Sequence, residues 1–268
     1  MALELIKSTN KVISLGLHSV SREQTYFSLA YWGRRHALAK EIFVGNFSSS
    51  SSAYFLEPYT DGNVYVGVYN GQPGNGKAAF DSTDWAHFAM TYYGDGGNKP
   101  ARLKLYINGV LQVLSFNGSN IGDTTPPLNG DNFVIGGFGA TSGRTDADIA
   151  EVKIWLRTLT PSEIIQDMNT SFPDSLFQTP AIENLIGYYP CDSEDYATDY
   201  SKSDIVGVMN NSPKLVTHPK RLLIEPALSE QQQEFLYATA PAAGGLLRGD
   251  SMDGLSSRYF NNSMAGGF

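Results

Sequence analysis

Cysteine is almost absent from this 268-residue chain: Cys191 stands alone, so no intrachain disulfide can form and the fold does not depend on oxidation. Charge is also sparse, at 17% of residues, and the formal net charge of -8 leaves no basic face for a non-specific nucleic-acid binder. No apolar run is long enough to span a membrane. The segment Met1-Ala-Leu-Glu-Leu-Ile-Lys7 lacks the basic region and apolar stretch of a signal peptide. The expectation is a chain made in cytoplasm without a signal peptide, with neither nucleic acid nor membrane insertion among its partners. The four histidines, His18, His36, His87 and His218, are scattered without metal-ligand spacing. No Gly-x-Ser-x-Gly nucleophile elbow is present. Without a secretion route, the sequons at Asn46, Asn117, Asn169, Asn210 and Asn261 carry no weight.

Hydrophobic residues make up 41% of the chain, with 27 Gly, 15 Tyr and 14 Phe, a mix that suits short strands and many turns. Tyr26–Trp32, Glu41–Val44, Ala53–Leu56 and Asn63–Tyr69 read as strands separated by turns such as Tyr59-Thr-Asp-Gly62. Leu103–Ile107 and Val110–Leu114 flank Asn108-Gly109, the pair that tolerates the positive φ angles of a type I′ hairpin. Asp131–Ile135 follows, then Asp148–Leu156, where alternation predicts Ala150, Val152, Ile154 and Leu156 on one face. Gly71-Gln-Pro-Gly-Asn-Gly-Lys-Ala78 imitates a phosphate-binding loop. Ala78 replaces the magnesium-holding hydroxyl, and no helix follows to cradle phosphate, so the stretch is read as a hairpin loop.

One short helix is well punctuated. Thr160 is placed to cap it, Pro161 to occupy its first position and Glu163 to complete a capping box, with Leu159 and Ile164 as a hydrophobic staple. It should run to about Met168, before Phe172-Pro173. After Pro213 the chain turns rich in Pro, Ala and Gly, with a Gln-rich stretch at Glu230–Leu236. The expected organisation is a lead-in strand over 1–20, a sandwich over 20–212 and an extended C-terminal arm over 213–268.

The order of three segments, Asp84-Trp-Ala-His-Phe-Ala-Met-Thr-Tyr92, Leu105-Tyr-Ile-Asn-Gly109 and Phe133-Val-Ile-Gly-Gly137, resembles the middle of a laminin G-like or concanavalin A-like jelly roll. Ile149–Ile164 looks like that family's late strand and short following helix, and Asn184–Asp192 running into Asp199-Tyr-Ser201 looks like its edge strand. The resemblance covers about residues 20–210. It implies an all-β, two-sheet antiparallel jelly-roll sandwich with one short helix. For function it is broad, because the superfamily holds lectins, adhesion modules, pentraxins, glycosidases and viral structural proteins.

Related sandwich glucanases place two glutamates around an aspartate on one strand, the outer pair about 5–5.5 Å apart for a retaining mechanism. Asp146, Asp148 and Glu151 follow that pattern, with Asp146 one methylene short. The non-catalytic family motif explains the same stretch, with Glu151 opposite a base such as Arg157. The resemblance also makes calcium possible, through Asp123, Asp131, Asp146 and Asp148, although no dense ligand loop exists. Arg248-Gly-Asp250 is uninformative as a tripeptide. The reading is therefore non-catalytic: a structural or binding protein, most concretely a virion component such as a capsid decoration, cement or fibre protein. It would be a homo-oligomer or bind other virion proteins. A carbohydrate-binding lectin or adhesin is the alternative, with glycans as partners, and a retaining glycoside hydrolase the lesser one.

Overall fold

Along Tyr26–Arg35, Phe27, Leu29 and Tyr31 point into one buried layer while Ala30 enters another, the two-residue period of a strand buried on both faces. The computed structural model describes residues 2–6, 12–15, 23–49, 52–71, 73–118, 120–127, 133–138, 142–143, 145–170, 184–191, 198–201, 208–210 and 214–217. The chain divides into a unit spanning Met1–Ile224 and a second spanning Glu225–Phe268. The second lies outside the described residues.

In chain order the first strands are β1 (Ala2–Leu5), β2 (Val12–Ser14), β3 (Tyr26–Arg35), β4 (Val44–Ser49), β5 (Ser52–Pro58) and β6 (Asn63–Asn70). β7 (Gly74–Ala79), β8 (Ala86–Tyr93), helix α1 (Lys99–Arg102), β9 (Leu103–Ile107), β10 (Val110–Leu111) and β11 (Ser115–Gly118) follow. The remainder is β12 (Val134–Ile135), β13 (Gly137–Phe138), β14 (Ser142–Gly143), β15 (Ala147–Trp155), α2 (Pro161–Asn169), β16 (Leu185–Tyr189), β17 (Val208–Asn210) and β18 (Lys214–Val216).

Two antiparallel sheets form the sandwich. The first runs β10-β9-β8-β3-β15-β1-β18, with β16 also paired to β15, and the second runs β11-β7-β6-β5-β4-β12-β2-β17. Between them lies one apolar core, with Phe27, Leu29, Phe88 and Met90 from the first sheet meeting Tyr54, Leu56, Val64 and Val66 from the second. Arg35 closes one end of this layer. Its guanidinium donates to the carbonyls of Leu38, Tyr59, Phe80 and Ser82, so three loops converge on one buried cation. The second sheet buries Phe43, Phe55, Tyr69 and Val134 on its outer side.

The local signals hold. Asn108 and Gly109 take φ values of 50 and 77° between β9 and β10, as a type I′ turn requires. Thr160 caps α2 in a full capping box with Pro161 in the first turn, and Leu159 packs with Ile164. Gly74–Ala79 is a strand inside a sheet, not the mouth of a phosphate loop. A second helical turn, α1, is capped by Asn98 where only one helix is expected. The sandwich also overruns its expected boundaries. β1 is hydrogen-bonded between β15 and β18, so residues 2–5 and 214–216 belong to the first sheet; residues 218–268 lie outside the described residues.

β15 carries the main irregularity. Ala150 faces Trp32 and Lys153 faces Ala30, so β15 holds one extra residue, and Glu151 adopts a φ of 55°. This is a β-bulge. Ala147 and Ile149 enter the inter-sheet core before it, and Val152 and Ile154 after it. Ala150 therefore falls on the face of Asp148, opposite to the side expected from simple alternation. The bulge also divides one flank of β15: residues 147–149 pair with β1, and residues 152–155 pair with β16.

Gly45 pairs with Phe55 across β4 and β5, and a Cβ there would lie 2.7 Å from Phe55 Cα. Gly45→Ala must push two sheet strands apart, and we expect a loss of about 1–3 kcal/mol, read as a lower midpoint in chemical denaturation with the m-value unchanged.

Candidate functional site

On the outer face of the first sheet, the bulge brings Glu151 and Lys153 to the same side. Lys153 is fully buried and donates to Asp167 Oδ1 of α2 at 2.7 Å, while Glu151 Oε2 lies 3.4 Å away. The Tyr188 hydroxyl of β16 donates to Glu151 Oε2 at 2.7 Å, and the Lys153 ammonium sits 4.9 Å from the Tyr188 ring centre. His87 Nε2, from β8, lies 3.1 Å from Asp167 Oδ2. Burial pushes the Asp167 carboxyl up, but the Lys153 charge and the His87 contact override it and hold it well below the usual range. Burial likewise pushes Lys153 down, and Asp167 and Glu151 outweigh it and raise it. Five side chains from β8, β15, α2 and β16 thus form one buried ionic network. Glu151 finds Lys153 rather than Arg157, which pairs with Glu163 at the start of α2.

Asp146 and Asp148 belong to a different group. His36, just past β3, places Nδ1 2.9 Å from Asp146 Oδ1 and Nε2 3.0 Å from Asp148 Oδ1. Arg34 Nε donates to Asp148 Oδ2 at 2.9 Å, and Lys40 reaches Asp146 Oδ2 at 2.7 Å. Burial tends to lower the His36 pKa, but the hydrogen bonds to Asp148 and Asp146 outweigh it and raise it. Burial would raise Asp146, yet Lys40 and His36 pull it below the usual range. Asp148 and Glu151 are 1% and 5% exposed. A glycosidase needs its carboxylate pair in a cleft with room for sugar and water; these carboxylates are packed against cations instead.

The calcium candidates do not converge. Asp148 pairs with Arg34 near one end of β3, whereas Tyr26 pairs with Tyr93 at the other. The eight steps from Tyr26 to Arg34 span about 26 Å at ~3.3 Å per residue. Asp123 lies at the Tyr26 end: its backbone carbonyl packs against Gly94, which follows Tyr93, and its exposed carboxylate pairs with Arg102. Asp131 lies outside the described residues.

At that same end the loops enclose a cleft of about 440 Å³, lined by Asn70, Asn98, Lys99, Arg102, Asn120 and Asp123, with the backbones of Gly97, Ile121 and Gly122. Arg102 is fixed by donating to the Gly96 and Ile121 carbonyls as well as to Asp123. Asn70 donates to Thr124 Oγ1 at 2.9 Å, and Asn98 caps α1. Beside the 94–98 loop, the rings of Tyr26 and Tyr93 stack with centres 5.4 Å apart and planes 16° from parallel. They remain 44% and 39% exposed, and the Tyr26 hydroxyl donates to Asp95 Oδ2. The cleft escapes sequence reading because its wall comes from three separated segments. The one local hint is Asn98-Lys-Pro100, a helix-start signal.

A family model described as the concanavalin A-like lectin/glucanases superfamily matches residues 7–165, more than half the chain. The chain belongs to this superfamily. No curated protein matches it significantly. Among solved structures, a candidate carbohydrate-binding protein from Bacteroides ovatus shares 20% identity at a TM-score of 0.58, covering 81% of this chain and 60% of that one. This superfamily member therefore spans about three fifths of that relative. A heptameric SAP-like pentraxin from Limulus polyphemus shares 10% identity at a TM-score of 0.50, covering 82% and 95% of the two chains. At these identities the likeness is one of fold. The lectin-type sandwich matches the expected architecture, and its outer-face network is built from this chain's own residues.

Removing one partner from the buried network leaves an uncompensated charge. Asp167→Asn should cost about 3–5 kcal/mol at neutral pH. Because the Asp167 pKa is depressed on folding, its contribution is complete above the ordinary aspartate value of about 4 and fades as pH falls below it. Denaturant titrations at pH 7 and pH 3 should therefore show a smaller gap between variant and parent at pH 3.

Proposed function

We propose that this chain is a non-catalytic binding domain whose ligand is a carbohydrate, taken up in the cleft between Asn70, α1 and residues 120–123. The observation that carries this reading is the chemistry of that cleft. Amide side chains, a fixed guanidinium–carboxylate pair and glycine backbones offer the planar donors and acceptors that match vicinal hydroxyls, and the volume suits one or two sugar rings. The stacked Tyr26–Tyr93 pair presents an exposed aromatic face at the same end of β3, with the apolar body and polar tip that favour such contacts. Membership of a superfamily of lectins and glucanases and the fold shared with the Bacteroides ovatus protein support the same class. The non-catalytic reading is supported by Asp148 and Glu151 being buried against cations.

A second reading, assembly as a virion component of the decoration, cement or fibre kind, is favoured by a different surface. Val110, Leu111 and Val113 at the β10 edge are 62%, 53% and 94% exposed, and Ile165 of α2 is 45% exposed, with its side chain near Gly109. Apolar edge residues of this kind suit pairing with a second copy of the chain.

Two measurements separate the readings. In a glycan screen followed by calorimetry, binding should be saturable, and Tyr93→Ala or Asn120→Ala should weaken it about tenfold or more with the fold intact. Absence of any glycan binding, or binding indifferent to both changes, removes the carbohydrate reading. For assembly, light scattering should give an oligomer that Leu111→Ser with Val113→Ser converts to monomer; a monomeric parent removes that reading.

A further inference from the structure

We propose that Glu4, His36 and Asp148 form a binding site for a divalent transition-metal ion of the zinc type, which fastens the β1 strand to the sheet. The three residues come from three separate segments brought together by register. Glu4 lies opposite Asp148 across β1 and β15, and Arg34 lies opposite Asp148 across β3 and β15, so His36 emerges beside both carboxylates as β3 ends. One donor atom from each of the three lies within 4.8 Å of the others. His36 Nε2 and Asp148 Oδ1 are 3.0 Å apart. Two ligands held ~2.1 Å from zinc at tetrahedral or octahedral angles stand about 3.0–3.4 Å apart, so this pair already has the required spacing.

The surrounding contacts leave those donors facing one another and hold the remaining atoms elsewhere. Asp146 holds His36 at Nδ1, and Lys40 anchors Asp146 in turn. Arg34 occupies Asp148 Oδ2, which leaves Oδ1 toward the imidazole. A carboxylate on the far nitrogen of a histidine, and a hydrogen bond on the far oxygen of a carboxylate, are the outer contacts that orient metal ligands. In the metal-free chain a proton bridges His36 and Asp148; the ion would take its place, with the proton released to solvent. The donor set of one imidazole and two carboxylates suits zinc or manganese, whereas calcium seeks six to eight oxygens. Three protein ligands leave a coordination position for water. The side chains of His36 and Glu4 are solvent-accessible, while Asp148 is buried, so the ion has a path in. The site lies at the opposite end of β3 from the sugar cleft and does not depend on the carbohydrate reading.

The test uses the full chain after chelator treatment, with zinc chloride as titrant in calorimetry and cobalt chloride as a visible-absorbance probe. The expected result is one saturable site per chain, cobalt ligand-field bands, and a melting temperature that rises with zinc. His36→Gln should abolish all three. Glu4→Gln leaves the pairs of His36 with the two aspartates standing, and should weaken zinc at least tenfold while preserving the circular dichroism spectrum. Zinc binding of equal strength in the parent and His36→Gln would place the ion elsewhere and overturn the proposal. No saturable binding in the parent would overturn it as well.

Discussion

A lysine ammonium enclosed by protein must meet an anion, because leaving it unpaired costs several kcal/mol. Lys153 is in that position, and the outer half of the fold is arranged around it. Its carboxylates come from the neighbouring bulge and from the helix that follows the strand. Satisfying Lys153 with Asp167 fixes how far α2 lies along the sheet; satisfying Glu151 with Tyr188 fixes where β16 docks. Apolar contacts among Trp155, Leu159, Ile164 and Leu185 fill the space beside them. The ionic contacts add direction to that packing.

The features legible in the sequence are those set by residues close together in the chain. The Asn108-Gly109 turn, the Thr160 capping box and the pairing of Leu159 with Ile164 need only a few neighbours to specify them. The strand periods of β3, β5 and β6 likewise reveal a sandwich. The bulge at Glu151 is different. Glu151-Val-Lys153 inside a run of apolar residues signals a break in alternation, but which residue steps out depends on Trp32 and Ala30 across the sheet. Arg157 is the nearest base by sequence beyond the strand, yet the capping box had already taken Glu163 to its side. The His36 cluster and the polar cleft were hidden for the same reason: each unites segments more than thirty residues apart in the chain, such as Glu4 with His36 and Asn70 with Asp123.

The strand β3 separates two chemical environments. At its Tyr26 end the loops leave a cleft with amides and exposed rings. At its Arg34 end the side chains are locked into ion pairs, with Arg35 sealing the core by binding four carbonyls. A sandwich divided in this way can vary its cleft loops while the opposite end keeps the sheets in place. Asp148 of β15 lies at the Arg34 end, held by Arg34 and His36 rather than facing the cleft.

The placement of β1 between β15 and β18 has a consequence for the timing of folding. Residues 2–5 are made before both of their neighbours, residues 147–149 and then 214–216. Until then the strand cannot be enclosed, and the β15 flank that will receive it stays open. Contacts of such long sequence separation slow the search for the native state, and unpaired strand edges in the waiting chain invite mispairing. The first sheet therefore closes around β1 only once β18 has been made, about two hundred residues after β1 itself.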